Sequence, residues 1–242
     1  MKMLLKLPIA HRGLHNDSIP ENSMGAFRAA MESGYAIETD VHFTKDKQLV
    51  LFHDDTLLRM TGDTRNIADC TFQELSDLRL AGTHEHIPRL CELLDLIGGK
   101  VPILLEIKNE PSANAKEFLS AIAHAFEGYT GEYAVQSFQP MYVRGYKKLC
   151  PNISCGLLTD THPSLRDFSP PFAHLKRYAV SHMSLNFYIK PDFLSFNFHE
   201  PSKKMQRFRG AKFGWTVRSE ADERIAKKYV DNIIFEGFRP NP

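Results

Sequence analysis

Long hydrophobic runs are missing from this chain: no apolar stretch approaches the ~18 residues that suggest a membrane-spanning helix. Met1 to Ala10 has the outline of a secretory leader, but Lys6 interrupts its short apolar run and no small-residue cleavage site follows. The segment Leu4–Ala10 is expected to be a first β-strand instead. Cysteine is scarce. Cys70, Cys91, Cys150 and Cys155 are too scattered for a disulfide framework or a paired zinc motif, and fit small buried side chains in a reducing cytoplasm. A surplus of charge of one sign is absent as well: 30 Lys and Arg stand against 29 Asp and Glu, a formal net charge of +1. That balance removes the electrostatic basis for wholesale binding to nucleic acid or to anionic membranes. The local group Lys203, Lys204, Arg207, Arg209 and Lys212 is expected to be a solvated helix face and its following turn. No linker, low-complexity tract or repeat divides the 242 residues, so one domain spanning 1–242 is expected.

What is present is an alternation of strand-like and helix-like segments. Strands are expected at Leu4–Ala10, Tyr35–His42, Val101–Ile107, Tyr133–Ser137, Ser154–Leu158, Phe193–Phe198, Lys212–Val217 and Asn232–Phe235. A ninth run, Gln48–His53, follows the Lys45-Asp46-Lys47 turn and is expected to pair with the second strand. Ser23 can cap a helix with Met24, Phe27, Ala30 and Met31 on one face and Gly34 as its stop. Thr71–Glu74 and Ser219–Asp222 have the form of capping boxes, and Arg89–Ile97 is amphipathic and ends at Gly98-Gly99. Eight strands alternating with helices point to an α/β fold, a TIM (β/α)8 barrel. Residues 161–190 show no clear period and are expected to be a long functional loop or an irregular helix.

Reactive groups of a parallel barrel gather where its strands end, and the polar residues of this chain cluster there. Strand one ends in His11-Arg12-Gly13, strand two carries Glu38, Asp40 and His42, the hairpin ends in His53-Asp54-Asp55, and strand three ends in Glu106-Ile107-Lys108. Residues two apart on a strand share a face. Glu38, Asp40 and Glu106 aimed into one barrel mouth repel one another unless a cation lies between them, and a hard divalent ion with oxygen ligands fits that need. An exposed edge or simple ion pairs would explain one such Glu-x-Asp alone. His11 and His53 are the candidate proton-transfer pair. His42 could approach the metal by its parity with Glu38 and Asp40, whereas the remaining histidines, His15 included, receive a structural interpretation. Arg12 offers a planar fork and Lys108 a point charge, both suited to phosphate.

These residues resemble a known family. His11-Arg12-Gly13, Pro20-Glu21-Asn22-Ser23, Ala26-Phe27, Glu38-x-Asp40-Val41, Thr44-x-Asp46, Val50, His53-Asp54, Leu57, Arg59 and Thr61 are similar to the glycerophosphodiester phosphodiesterase signature. Ile87-Pro88-x-Leu90, Glu106-Ile107-Lys108, Ser137-Phe138 and Trp215-Thr216-Val217 continue it in order. The resemblance implies a TIM barrel with a small insertion after the second strand, here about residues 44–90. It implies hydrolysis of glycerophosphodiesters to sn-glycerol 3-phosphate and an alcohol with one divalent cation, Mg2+ or Ca2+. Glu38, Asp40 and Glu106 would be its ligands, His11 and His53 the general acid and base, and Arg12 and Lys108 the phosphate contacts. Trp215 would line the glycerol side of the mouth, or belong to the core. The nucleophile stays open between water and the substrate's own 2-hydroxyl. Two departures stand out. Ser23 replaces the usual Thr, and the last strand ends in Ile234-Phe235-Glu236-Gly237 where the family often has Thr-Asp, which leaves that strand's contribution to the site open. The aromatics Phe187, Tyr188, Phe193, Phe196 and Phe198 are either an alcohol-side pocket or barrel core. Alternatives are a lysophospholipid or phosphoinositide-headgroup phosphodiesterase on the same barrel, marked by an apolar loop within 161–198, and a silent phospho-ligand-binding barrel, marked by a missing ligand or histidine. Every expected one is present.

Overall fold

The computed structural model describes residues 1–110, 113–161, 172–181 and 183–241. Its strands are β1 (Ile9–Ala10), β2 (Ala36–Phe43), β3 (Leu49–Leu51), β4 (Ile103–Ile107), β5 (Tyr133–Ser137), β6 (Ser154–Thr159), β7 (Phe193–Asn197), β8 (Ala211–Val217) and β9 (Asn232–Phe235). All but β3 run parallel, and β1 closes the ring by pairing with β2 (Ile9 opposite Ala36) and with β9 (Ile9 opposite Ile234). The result is the expected eight-stranded (β/α) barrel, with β3 lying antiparallel on β2. Alternation along each strand sorts the side chains. Ile37, Val41, Ile103, Leu105, Val135 and Leu157 face outward into the large core shared with the helices. Ala36, Leu104, Ala134, Phe193, Phe213 and Ile234 face inward and fill the lower barrel.

Local sequence explains the outer elements. Helix α1 (Met24–Glu32) starts where Ser23 Oγ accepts from the Ala26 amide, and it buries Ala26, Phe27 and Ala30. Between β2 and helix α4 (Leu90–Ile97) lie β3, the short helices α2 (Leu58–Thr61) and α3 (Phe72–Ser76), and 3-10 turns at Ile67–Asp69 and Leu80–Gly82. Thr71 and Glu74 form the expected capping box on α3. This insertion has its own small core of Val50, Phe52, Leu57, Ile67, Cys70, Leu75, Leu80 and Ile87, and it carries His53 toward the barrel rim. Helices α5 (Ala115–Ala125) and α6 (Pro140–Leu149) pack on each other outside β4 and β5.

One expectation needs correction and two open alternatives are resolved for the described residues. The first strand is not Leu4–Ala10 but Ile9–Ala10, because residues 2–6 turn instead, with the amides of Lys6 and Leu7 both donating to the Met3 carbonyl at 2.9 Å. That turn drives Leu4 into the barrel floor, fully buried against the interior cluster, while Glu132 accepts from the amides of Met3 and Leu4 and Asn232 donates to the carbonyls of Leu4 and Leu7. Within 161–190, helix α7 (Ala173–Ser181) and the short α8 (Asn186–Ile189) replace the unpatterned loop; residues 162–171 and 182 lie outside the described residues. The aromatic run divides in two: Phe193, Phe196 and Phe198 are core, whereas Phe187 and Tyr188 are exposed. Two more helices, α9 (Lys203–Gln206) and α10 (Glu220–Ala226), complete the described set, and Lys203, Lys204 and Arg207 are exposed as expected.

Inside the barrel, Gly156 leaves the space into which the Phe193 ring packs; a Cβ there would stand 2.1 Å from that ring. Gly156→Ala is therefore expected to lower stability by about 1–3 kcal/mol, the usual cost of forcing extra volume into a packed core. Urea unfolding checks this, and an unchanged midpoint would contradict the packing described here.

Candidate active site

The site is built at the carboxyl ends of β1, β2, β4 and β9 and on the hairpin beyond β3. After β1 the chain turns sharply. Arg12 (φ 55°) and Gly13 (φ 78°) both adopt left-handed backbone, and a Cβ on Gly13 would stand 2.8 Å from Ala26. This turn aims the Arg12 amide at Glu38 Oε2, 3.1 Å away. Asn22 is a second non-glycine residue with positive φ (51°). Its side chain donates to Asp40 Oδ2 at 2.9 Å and accepts from Thr39 Oγ1 at 2.7 Å, so the carboxylate next to it fixes the turn.

Glu38 and Asp40 point inward from β2, and the register sets Asp40 opposite Glu106 on β4. One carboxylate oxygen from each of the three lies within 4.8 Å of the others, and Glu38 and Asp40 are buried. Two cationic side chains reach this cluster. Lys108 Nζ lies 2.9 Å from Glu106 Oε1 and 3.3 Å from Asp40 Oδ1, and Arg12 Nε lies 3.6 Å from Asp40 Oδ2. Burial alone would push Asp40 up, but Lys108, His53 and Arg12 hold it far below the usual carboxylate range. Glu38 goes the other way: burial, then Asp40 and Glu106, push it well above its ordinary value. The cluster is thus short of positive charge on the Glu38 side. Three oxygen donors, one of them a buried carboxyl raised by burial and its acidic neighbours, fit a hard divalent cation that Glu38, Asp40 and Glu106 could hold.

The two candidate histidines each lean on a carboxylate. His11 Nδ1 donates to Glu236 Oε2 at 2.5 Å, and His53 Nδ1 donates to Asp54 Oδ1 at 2.6 Å. Burial pushes the His11 imidazole below its ordinary value, with Glu236 opposing that shift and Arg12 adding to it. Glu236 itself, despite burial, is held far below the carboxylate range by His11, His15 and Arg218. Asp54 is held low in the same way by His53 and Arg59. Arg59 continues the chain of charges: it bonds Asp54 and Glu21, and Glu21 Oε1 accepts from Arg12 at 2.7 Å. One hydrogen-bonded path therefore joins the second histidine to Arg12.

A cavity of about 830 Å³ opens over these groups. His11, Arg12, Glu38, His53, Glu106, Lys108 and Trp215 all line it, while Asp40 is buried behind them, linked through Lys108 and Arg12. The structure thus brings all eight sequence-derived candidates to one place. Two buried donors on the wall, Arg12 Nε and Trp215 Nε1, have no hydrogen-bond acceptor among the described residues. Trp215 stands edge-to-face with Phe138 at 6.1 Å and lines the mouth as well as packing on the interior cluster. His42 does not join the acidic cluster; its Nδ1 bonds Glu110 Oε1 at 2.5 Å. His15, given a structural interpretation from sequence, lies 3.6 Å from Glu236. Sequence reasoning missed Glu236, Glu21, Asn22, Asp54 and Arg59 as site residues, although all but Glu236 stand inside the motif segments of the resemblance. Only the departure at the end of β9 marked Glu236.

Comparison with known proteins agrees with this architecture. The glycerophosphoryl diester phosphodiesterase family matches residues 11–236. A glycerophosphodiester phosphodiesterase from Caldanaerobacter subterraneus subsp. tengcongensis is 34% identical, over 94% of this chain and 93% of that protein. Among solved structures, a phosphodiesterase from Oleispira antarctica in complex with the product sn-glycerol-3-phosphate superposes with a TM-score of 0.78 at 22% identity, over 96% of this chain and 93% of the other. A glycerophosphodiester phosphodiesterase from Thermotoga maritima has a TM-score of 0.69 at 21% identity, over 95% and 94% of the two chains. The barrel is thus that of a phosphodiesterase, a hydrolase. The chain belongs to the glycerophosphoryl diester phosphodiesterase family.

Glu236→Gln tests the His11 contact. Loss of an imidazole's partner carboxylate is expected to cost roughly 10²-fold or more in kcat. Because Glu236 raises the His11 value, removing its charge lets that value fall further. The unprotonated imidazole then persists to lower pH, and the acidic limb of the kcat/KM profile moves to lower pH. A limb that stays in place or moves upward would show that Glu236 does not act on His11.

Proposed function

We propose that this chain hydrolyses glycerophosphodiesters to sn-glycerol 3-phosphate and an alcohol, with one Mg2+ or Ca2+ ion held by Glu38, Asp40 and Glu106. The observation that carries this reading is the pairing of a three-carboxylate cluster with two carboxylate-backed histidines across one cavity. Such an ion supplies Lewis-acid polarisation of the phosphoryl group and neutralises charge that develops on it. Arg12 and Lys108 bind the same anionic group; Arg12 Nε, paired with Asp40 at 3.6 Å but with no hydrogen-bond acceptor among the described residues, is a donor to a phosphate oxygen. His11, lowered by burial, is unprotonated near neutral pH. With Nδ1–H committed to Glu236, its Nε2 is the proton acceptor, so His11 is the general base. His53, its Nδ1 held by Asp54, is the general acid that protonates the departing alkoxide. The nucleophile that loses its proton to His11 is water or the glycerol 2-hydroxyl. Trp215 Nε1, a buried donor without an acceptor among the described residues, suits a glycerol hydroxyl. The barrel and its insertion at about 44–90 work as one unit, and four free cysteines suit a cytoplasmic setting. Among the described residues no helix is long and apolar enough to cross a membrane.

A second reading has one observation in its favour. Phe172, Leu175 and Phe187, in the connection between β6 and β7, are 73%, 65% and 78% exposed. Exposed apolar side chains in that connection suit the acyl chain of a lysophospholipid carrying the same glycerophosphodiester linkage.

The direct test is release of glycerol 3-phosphate from glycerophosphocholine and glycerophosphoethanolamine by EDTA-treated protein, with Mg2+, Ca2+ or Mn2+ restored. Release is expected only with metal and is expected to vanish in Glu38→Ala. His11→Ala and His53→Ala should each lose ~10²–10⁴ in rate. A 2-deoxy glycerol analogue hydrolysed at the normal rate assigns the nucleophile to water. Hydrolysis confined to a lysophospholipid panel would favour the second reading, and no release from any of these substrates under any metal would refute both.

A further inference from the structure

His42 stands apart from the acidic cluster that its strand parity pointed to, and it is buried to 1% exposure with Glu110, at 3%, against it. A polar pair at that depth carries a large desolvation cost, and an apolar pair of similar volume would often serve stability as well or better. The surroundings show where its hydrogen bonds go. Glu110 Oε1 takes His42 Nδ1 at 2.5 Å and the Phe43 amide at 3.2 Å, which ties the end of β4 to β2. The Tyr142 hydroxyl on α6 lies 3.4 Å from the backbone of Glu110. The ring's other nitrogen, Nε2, reaches out of this pair to the backbone carbonyl of His53, 3.3 Å away.

That carbonyl belongs to the peptide between His53 and Asp54. Beyond β3 the chain is held to β2 by the Phe52 amide donating to the Asp40 carbonyl, and then leaves the ladder. Fixing the orientation of the next peptide plane constrains ψ of His53 and φ of Asp54 together. Those are the two residues whose side chains form the 2.6 Å imidazole–carboxylate contact. We propose that His42, braced by Glu110, is a positioning residue for His53: it holds the 53–54 peptide so that the imidazole and its carboxylate meet at the rim. The inference rests on the reading of His53 as general acid.

The test compares kcat and KM separately for His42→Leu, His42→Gln and His42→Asn, on the substrate and metal that give activity in the release assay. Displacing a proton donor by about 1 Å can cost on the order of 10²-fold. His42→Leu is therefore expected to lower kcat by about 10- to 100-fold with KM within about twofold of wild type. The Gln amide nitrogen can occupy the place of Nε2 and reach the His53 carbonyl, whereas that of Asn occupies the place of Nδ1 and reaches only Glu110. Recovery of kcat in Gln but not in Asn is the expected pattern. In a His53→Ala background, His42→Leu should cause no further loss, because it acts through a side chain no longer there. Wild-type kcat in His42→Leu, rescue by Asn in place of Gln, or a loss that adds in full onto His53→Ala would each overturn the inference. Near-UV circular dichroism and thermal midpoints identify variants that fold, and the Gln–Asn pair decides the matter if Leu does not. His53→Ala separates the two levels: wild-type activity in that variant sinks the acid role and the inference together. If it is inactive while His42→Leu is intact, only the inference fails.

Discussion

Mutual repulsion among Glu38, Asp40 and Glu106 is the constraint around which the rim of this barrel is arranged. Oxygen atoms of three buried acids meet within 4.8 Å, and charges so placed persist only with cations at hand. Lys108 and Arg12 supply part of that charge from the ends of β4 and β1. The same demand accounts for backbone that is otherwise costly. Arg12 and Asn22 both sit in left-handed conformations, and both are bound there to the cluster, by Glu38 and by Asp40. An apolar rim would have no use for either turn.

Around this centre the histidines are arranged as two half-sites of similar design and different ancestry in the chain. His11 comes from the barrel itself and takes its carboxylate from the last strand's end. His53 comes from the insertion and takes its carboxylate from the adjacent residue. The first is deeply placed and shifted downward by burial, while the second is more open, its side chain 33% exposed. Two chemically identical side chains thus sit in unequal surroundings at one rim. The route Asp54–Arg59–Glu21–Arg12 then binds the insertion electrostatically to the barrel.

Much of this was legible beforehand because the barrel places chemistry at strand ends and the two-residue period of a strand tells which side chains share a face. Glu38, Asp40, Glu106 and Lys108 follow from that rule. Glu236 did not, since a lone acid after an apolar strand has no local pattern; its partner lies 225 positions away, and only ring closure joins them. Glu21 and Arg59 escaped for a related reason: loop residues have no periodicity to betray their direction. His42 obeyed the parity rule and still missed the acidic cluster, because Glu110, just past β4, captured its ring. The first strand was overdrawn because an apolar turn that plugs a barrel floor has the composition of a strand. Helix α7 stayed hidden for lack of a clear apolar period.

The His11–Glu236 contact has a consequence for the life of the chain. The amide of His11 bonds the carbonyl of Phe235, and its ring bonds the very next side chain, so the first and last strands are zipped together at the reaction centre. During synthesis His11 leaves the ribosome 225 residues ahead of Glu236. Until β9 has left the ribosome and docked beside β1, the imidazole has no carboxylate and the ring of strands has a gap. Chains that end before β9 therefore lack both the His11–Glu236 contact and a closed barrel.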